Sequence, residues 1–166
     1  HRVVPSLCQA IRQQGLSLEF GEELCSPETK EDLLSARTEV DGSLFLQLCD
    51  DQARWGWFEV LEPFLHKHQL PFDRQADANF AYGAYLTQFR PGRKTRVIPT
   101  DSSGRPVVLI ETVRPVAHQL AQAISQFEHS PKRRRLAPFR RAHRLLKLAL
   151  PVPVSPLPSF TLGGDH

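Results

Sequence analysis

Prolines restrict the possible folds of this chain more than any other residue type. Proline fixes the backbone φ angle and has no N–H, so it is tolerated in the first turn of a helix and not in its interior. Pro63 and Pro115 are therefore expected in the first turns of helices that begin near residues 59–61 and near Val113. Near the C terminus, closely spaced prolines exclude a regular helix and predict an extended or polyproline-like tail. They are Pro151, Pro153, Pro156 and Pro158.

Between the prolines, the spacing of apolar residues predicts both helices and strands. Residues 6–15 have helical spacing, residues 43–49 alternate between two faces after an Asp41-Gly42 turn, and Ser26 is suited to cap a helix. Further strands are expected at 16–20, 70–74 and 82–89 and as a hairpin over 95–111, and further helices at 59–65, 113–127 and 136–150.

This order of elements predicts an α+β fold. We expect a small, mainly antiparallel sheet with two or three packed helices, followed by a basic C-terminal helix and the Pro-rich extended tail. The predicted domains are an acidic to neutral α+β body over residues 1–130 and the basic helix with its tail over residues 131–166.

Charge is divided unequally along the chain, although the net charge is only +3. Residues 1–85 hold fourteen acidic and seven basic side chains, a net charge of −7. Residues 86–166 hold four acidic and fourteen basic side chains, a net charge of +10. This asymmetry predicts either two faces of opposite charge or a basic tail on a neutral body, unless the two halves neutralise each other internally.

The densest positive charge lies in residues 132–147, which we call the basic segment. It contains no acidic residue, and such density attracts phosphate. A solvated helix face, a clamp on the acidic half and a surface for an anionic partner or membrane are the alternatives. Its eight cations are the candidate partner-binding or nucleic-acid-binding residues: Lys132, Arg133, Arg134, Arg135, Arg140, Arg141, Arg144 and Lys147.

Several functional classes lack the sequence features that they need. The apolar runs are too short for a membrane span, which takes about 20 residues. Phosphate-cradling and dinucleotide-binding glycine motifs are absent, as is a nucleophile elbow, so no cofactor is expected. Three cysteines without a Cys-x-x-Cys pair argue against a disulfide framework or a thiolate zinc site, and favour reduced thiols in a cytoplasmic protein.

Aromatic residues are concentrated between residues 55 and 89. They are interpreted first as core, and otherwise as a partner-binding patch or a stacking platform for bases with Arg74 and Arg90 beside it. The candidate aromatic interface consists of Trp55, Trp57, Tyr82 and Tyr85.

A metal site is a further possibility at His66, His68 and Asp73. However, His66 and His68 end a predicted helix, where residues two apart do not face the same way. Histidines at a helix C terminus also complement its negative end, so the sequence favours no metal site here.

Three short stretches resemble small uncharacterised bacterial proteins that are carried on plasmids and integrated mobile elements. They are residues 61–65 (LEPFL), 70–74 (LPFDR) and 88–92 (QFRPG). The resemblance implies a bacterial, cytoplasmic accessory protein, and it supplies no catalytic residues.

Three hypotheses follow from the sequence. The leading one is a non-enzymatic binding protein that docks through charged surfaces onto a protein partner, such as a nucleic-acid-processing or host-defence complex, or onto a second copy of itself. The second is a nucleic-acid-binding protein that holds the backbone without reading the sequence. The third is a metal-assisted hydrolase that uses the two histidines and Asp73.

Overall fold

The computed structural model describes residues 3–19, 21, 23–129, 136–150 and 154–162. Over these residues the chain is α+β, as expected, with five α-helices and two antiparallel sheets where the sequence predicted one. The elements in chain order are α1 (Val3–Gln14), α2 (Lys30–Ser35), β1 (Arg37–Val40), β2 (Ser43–Leu46), α3 (Leu61–Lys67), β3 (Phe72–Ala76), β4 (Tyr85–Phe89), β5 (Arg96–Pro99), α4 (Ile110–His129) and α5 (Ala137–Ala149).

The first core forms where α1, α2 and α3 meet. Its buried centre includes Ile11, Leu33 and Leu61, one from each helix. The side chain of Gln14, the last residue of α1, accepts hydrogen bonds from the N–H groups of Val60 (2.7 Å) and Leu61 (3.3 Å). Because the first N–H groups of a helix lack internal partners, these bonds join the end of α1 to the start of α3.

The two sheets are built from hairpins. Strands β1 and β2 pair through the expected Asp41-Gly42 turn, where both residues have positive φ. Strands β3, β4 and β5 form the second sheet in that order. Along β3, Phe72, Arg74 and Ala76 are buried and the residues between them are exposed, so one face of this sheet covers a second core.

Helices α4 and α5 pack against each other, and we call them the α4–α5 pair. Val116 and Ala123 of α4 and Ala142 of α5 are buried, and the rings of Phe127 and Phe139 meet edge to face at 6.0 Å. The domain boundary predicted near residue 130 falls between these two helices.

The structure corrects several predicted boundaries. Helix α4 begins at Ile110 and not near Val113, so Pro115 lies inside the helix and not in its first turn. Helix α2 is capped by Thr29 and not by Ser26. Residues 16–20 were expected to form a strand, but Ser17 forms only isolated bridges with Leu24 and Cys49.

Residues 154–162 have no helix or strand, and they run back along the body of the protein. The N–H of Phe160 donates to the carbonyl of Leu44 at 2.7 Å. The side chains of Phe160 and Leu162 pack against the first core. Residues 160–162 are thus part of the packed structure.

Candidate interaction surfaces

Helix α5 carries four cations of the basic segment on its surface. Arg140, Arg144 and Lys147 follow one another at spacings of four and three residues, so they lie along one face of the helix, and Arg141 flanks them. All four side chains are exposed. None of them forms an ion pair with a carboxylate in the part of the chain that the structure describes. Their charge is therefore directed to solvent.

Apolar side chains accompany these cations. Leu148 follows Arg144 by four residues, on the same face of α5, and is 75% exposed. On α4, Leu120, Ile124 and Phe127 form a second stripe, and each is more than 40% exposed. The α4–α5 pair thus exposes apolar side chains on both helices, and one of them, Leu148, lies beside the row of cations on α5.

The other four candidate cations lie outside the described residues: Lys132, Arg133, Arg134 and Arg135. The prediction that they belong to the interaction surface stays a prediction.

The candidate aromatic residues are brought together only in part. Rings of Trp55 and Tyr82 lie 6.1 Å apart, and those of Tyr82 and Tyr85 lie 5.9 Å apart. Trp57 is 59% exposed and has no ring contact with them among the described aromatic residues. Phe80 is fully exposed nearby in sequence.

The loop that bears Trp55 is held by side chains of the three-stranded sheet. Trp55 has a φ of 56°, in the left-handed region that non-glycine residues rarely adopt. Its carbonyl accepts a 2.6 Å hydrogen bond from the hydroxyl of Tyr85, and the carbonyl of Gly56 accepts one from Arg74. A Cβ at Gly56 would lie only 2.5 Å from the Cβ of Ala76, so the loop packs tightly on β3.

Arg74 is a structural residue and not a cation available to a ligand. Its side chain is 6% exposed, and its Nε lies 2.5 Å from Oε1 of Glu62. This Nε is not aligned as a hydrogen-bond donor, so the contact is one of charge. The guanidinium also donates to the Thr87 hydroxyl at 2.9 Å and lies over the Tyr85 ring.

Arg90 is held in the same manner. It makes two parallel hydrogen bonds to the carboxylate of Asp73, at 2.6 and 3.1 Å, and donates to the carbonyls of Phe72 and Phe89. Because Arg74 and Arg90 are both buried, neither supports the stacking platform for bases that the sequence suggested.

The three candidate metal ligands have other partners. His66 packs edge-on against the rings of Phe72 and Phe89, at 5.3 and 4.2 Å, and His68 lies 4.4 Å from Phe64. Asp73 is bound by Arg90. Among the residues that the structure describes, no group of three histidine, cysteine or acidic side chains is placed to hold a metal ion. The geometry thus gives the hydrolase hypothesis no support.

The cysteines lack the properties of nucleophiles. All three are free, and Cys8 is fully buried. Burial raises the pKa of the Cys25 thiol, and likewise that of Cys8 and Cys49. Since the thiolate is the reactive form, a raised pKa lowers the reactivity of these thiols.

Sequence reasoning missed the contact between the tail and the body. The hydrogen bonds of this contact join residues of the tail to residues of the body: Ser155 to Arg90, and Ser159 and Phe160 to Leu44. The alternation of Phe160, Thr161 and Leu162 was the available signal, because it is the pattern of a segment paired at the edge of a sheet.

Comparison of the chain with protein-family models, with curated proteins and with solved structures finds no match. The resemblance to mobile-element proteins therefore stays a prediction. In the described part of the chain, every helix is too short or too polar to cross a membrane.

Proposed function

We propose that this chain is a non-enzymatic binding protein whose α4–α5 pair docks onto an acidic, partly apolar surface of a partner protein. One observation carries the proposal. Arg140, Arg144 and Lys147 form an exposed row with Leu148 beside it, and none of these cations has an ion-pair partner among the described residues.

The spacing of this row fits a helical partner. Residues four apart on a helix are separated by about 6 Å along its axis. A partner helix with carboxylates at the same interval would meet the guanidinium groups in register. Complementary charge of this kind speeds association and fixes the register, while buried apolar side chains supply much of the affinity.

Nucleic acid is the second candidate, and the same row of cations favours it. Arginine binds phosphate well, and residues 136–150 contain no acidic side chain to oppose it. Exposed Leu148, Leu120 and Ile124 favour a protein instead, because backbone contacts to nucleic acid are made mainly by charged and polar groups.

Three variants of the full chain test the proposal. The first reverses the row with R140E, R144E and K147E. The second, a matched control, reverses three other exposed cations with K67E, R93E and K94E. The third is Leu148→Ser, which keeps the charge and removes the apolar contact.

Each variant is titrated at about 150 mM salt, where exposed charges are screened beyond about 8 Å. The probes are an acidic amphipathic Glu/Leu helix, a short DNA duplex and phosphatidylserine vesicles. We expect the peptide to bind the wild type and the control alike, to lose at least about ten-fold in affinity with the row reversed, and to lose several-fold with Leu148→Ser. If the wild type binds the DNA duplex more tightly than the peptide, and Leu148→Ser does not change its affinity for DNA, the second candidate is established. Binding to the vesicles alone would refute both candidates.

A further inference from the structure

Residues 154–162 of the C-terminal tail occupy a groove on the body of the protein. One side of this groove is the outer edge of β2, where the N–H of Leu44 donates to the Ser159 hydroxyl at 3.2 Å and its carbonyl accepts from the N–H of Phe160 at 2.7 Å. Leu44 thus uses both of its backbone groups on the tail. We call this edge, with the core side chains under Phe160 and Leu162 and with Arg90, the tail groove.

The side chains of the tail alternate as in a peptide added to a sheet. Phe160 and Leu162 are half-buried against the first core, whereas Thr161 between them is exposed. In this mode of recognition, main-chain hydrogen bonds give affinity and pockets for alternate side chains give specificity. The tail groove therefore has the two properties of a site for an extended peptide.

A second anchor lies five residues earlier in the tail. The Nε of Arg90 donates to the carbonyl of Ser155 at 3.0 Å. Arg90 is 7% exposed, and Asp73 and the carbonyls of Phe72 and Phe89 fix its other nitrogens. Since these partners all belong to the body, the direction of Nε is set before any peptide arrives.

We propose that the tail groove is a peptide-binding site that residues 154–162 of a second copy can fill, so that two chains exchange their tails. The hydrogen bonds of Ser155, Ser159 and Phe160 join the tail to the body, and the same bonds are therefore open to the tail of another chain. The α4–α5 pair that precedes the tail packs mainly within itself, so the exchange leaves the cores of the body intact. Exchange of an identical element is a known route to a dimer.

The chain's own tail is the competitor in this equilibrium. A tethered segment acts at an effective concentration of about millimolar, so the monomer is favoured in dilute solution and exchange increases with protein concentration. Release of the chain's own tail should accordingly open the groove to a peptide added in solution.

The first experiment measures this release in the full chain. Phe160→Ala removes the main apolar contact of the tail, and Thr161→Ala changes its exposed neighbour as a matched control. A fluorescent peptide of residues 154–162 should bind the F160A chain at least about ten-fold more tightly than it binds the wild type or the T161A chain. Equal affinity for all three chains, or equal binding of a peptide that itself carries the Phe160→Ala change, would overturn the proposal.

A second measurement does not depend on the folding of F160A. A photoreactive phenylalanine analogue replaces Phe160 in full chains, of which half are labelled with a heavy isotope. After mixing at high protein concentration and irradiation, mass spectrometry should find cross-links near Leu44 that join heavy to light chains. Cross-links within single chains alone would show that the tail does not exchange.

Discussion

Single residues decide which of the candidate groups are available to a ligand. Arg74 is the clearest case, because its sequence neighbours suggested a cation beside aromatic rings. In the structure Arg74 lies between Phe72 and Ala76 on the buried face of β3. The two-residue period of a strand places Arg74 on the buried face with its neighbours. The partner of its charge is Glu62 of α3, in the preceding element, and no periodicity reveals that pairing.

Replacement of Arg74 by methionine should destabilise the protein strongly. The change leaves the Glu62 carboxylate, which is 13% exposed, without its cation, and removes the hydrogen bonds to Thr87 and Gly56. Breaking a buried ion pair on one side costs about 3–5 kcal/mol. The free energy of unfolding from urea titration measures this loss. Exposed Arg54 changed to methionine is the control, and a loss for R74M no larger than that of the control would contradict the structural role of Arg74.

Trp55 and Trp57 provide a matched test of backbone strain. Both indoles are about equally exposed, at 63% and 59%, but Trp55 has a φ of 56° and Trp57 a φ of −106°. A left-handed conformation costs a non-glycine residue about 1–2 kcal/mol, which glycine avoids. We therefore expect the free energy of unfolding of the Trp55→Gly variant to be about 1 kcal/mol higher than that of the Trp57→Gly variant. Equal thermal and urea stabilities of the two variants would argue against the strained conformation.

At the scale of elements, α2 shows how local side chains define a short helix. The Thr29 hydroxyl accepts a hydrogen bond from the N–H of Asp32 at 3.2 Å. The Asp32 carboxylate accepts two hydrogen bonds at 2.9 Å, from the N–H groups of Glu28 and Thr29. These hydrogen bonds lower the pKa of Asp32, and the bond from the N–H of Glu28 has the largest effect. The capping box was present in the sequence, but Ser26 and Pro27 offered a competing start three residues earlier.

The pH dependence of stability should report this capping box. Because the pKa of Asp32 is lower in the folded state, its carboxylate stabilises the fold fully above the ordinary aspartate pKa of about 3.9 and loses this effect as the pH falls through the lower, folded value. Asp32→Asn should therefore lower the urea midpoint at pH 7, and the difference from the wild type should shrink in acid. A difference that is unchanged or larger at low pH would show that the charge is not responsible.

The elements that sequence reasoning predicted best are those with strong periodicity. The strand at β2, its Asp41-Gly42 turn and the helix at α1 are present with shifted ends. Strand β1 was missed because Arg37, Glu39 and their neighbours are mostly exposed and show no apolar alternation. The start of α4 was misplaced because proline is excluded from helix interiors as a rule, whereas Pro115 lies inside this helix.

At the scale of the whole molecule, ion pairing decides which charges of the asymmetric sequence are available to a partner. The structure pairs two acids of the first half, Glu62 and Asp73, with Arg74 and Arg90. The cations of α5 keep their exposure. The sequence could therefore predict the cationic part of the candidate surface. For the tail groove, the alternation over residues 160–162 was a local signal, but the partners Leu44 and Arg90 lie far away in sequence and no local pattern identifies them.

The α4–α5 pair should open independently of the rest of the molecule. Within the described residues its extensive packing is between its own two helices, and Pro115 deprives α4 of an internal hydrogen bond. Hydrogen exchange reports such local opening, since poorly supported elements exchange at a free energy below that of global unfolding. Amides of residues 116–127 should accordingly exchange faster than those of β4, the central strand of its sheet. Pro115→Ala should slow exchange in α4 and leave β4 unchanged, whereas equal protection of α4 and β4 in the wild type would mean that the pair and the three-stranded sheet unfold as one unit. An α4–α5 pair that opens apart from the rest of the chain would also give the attached residues 154–162 the freedom to leave the tail groove.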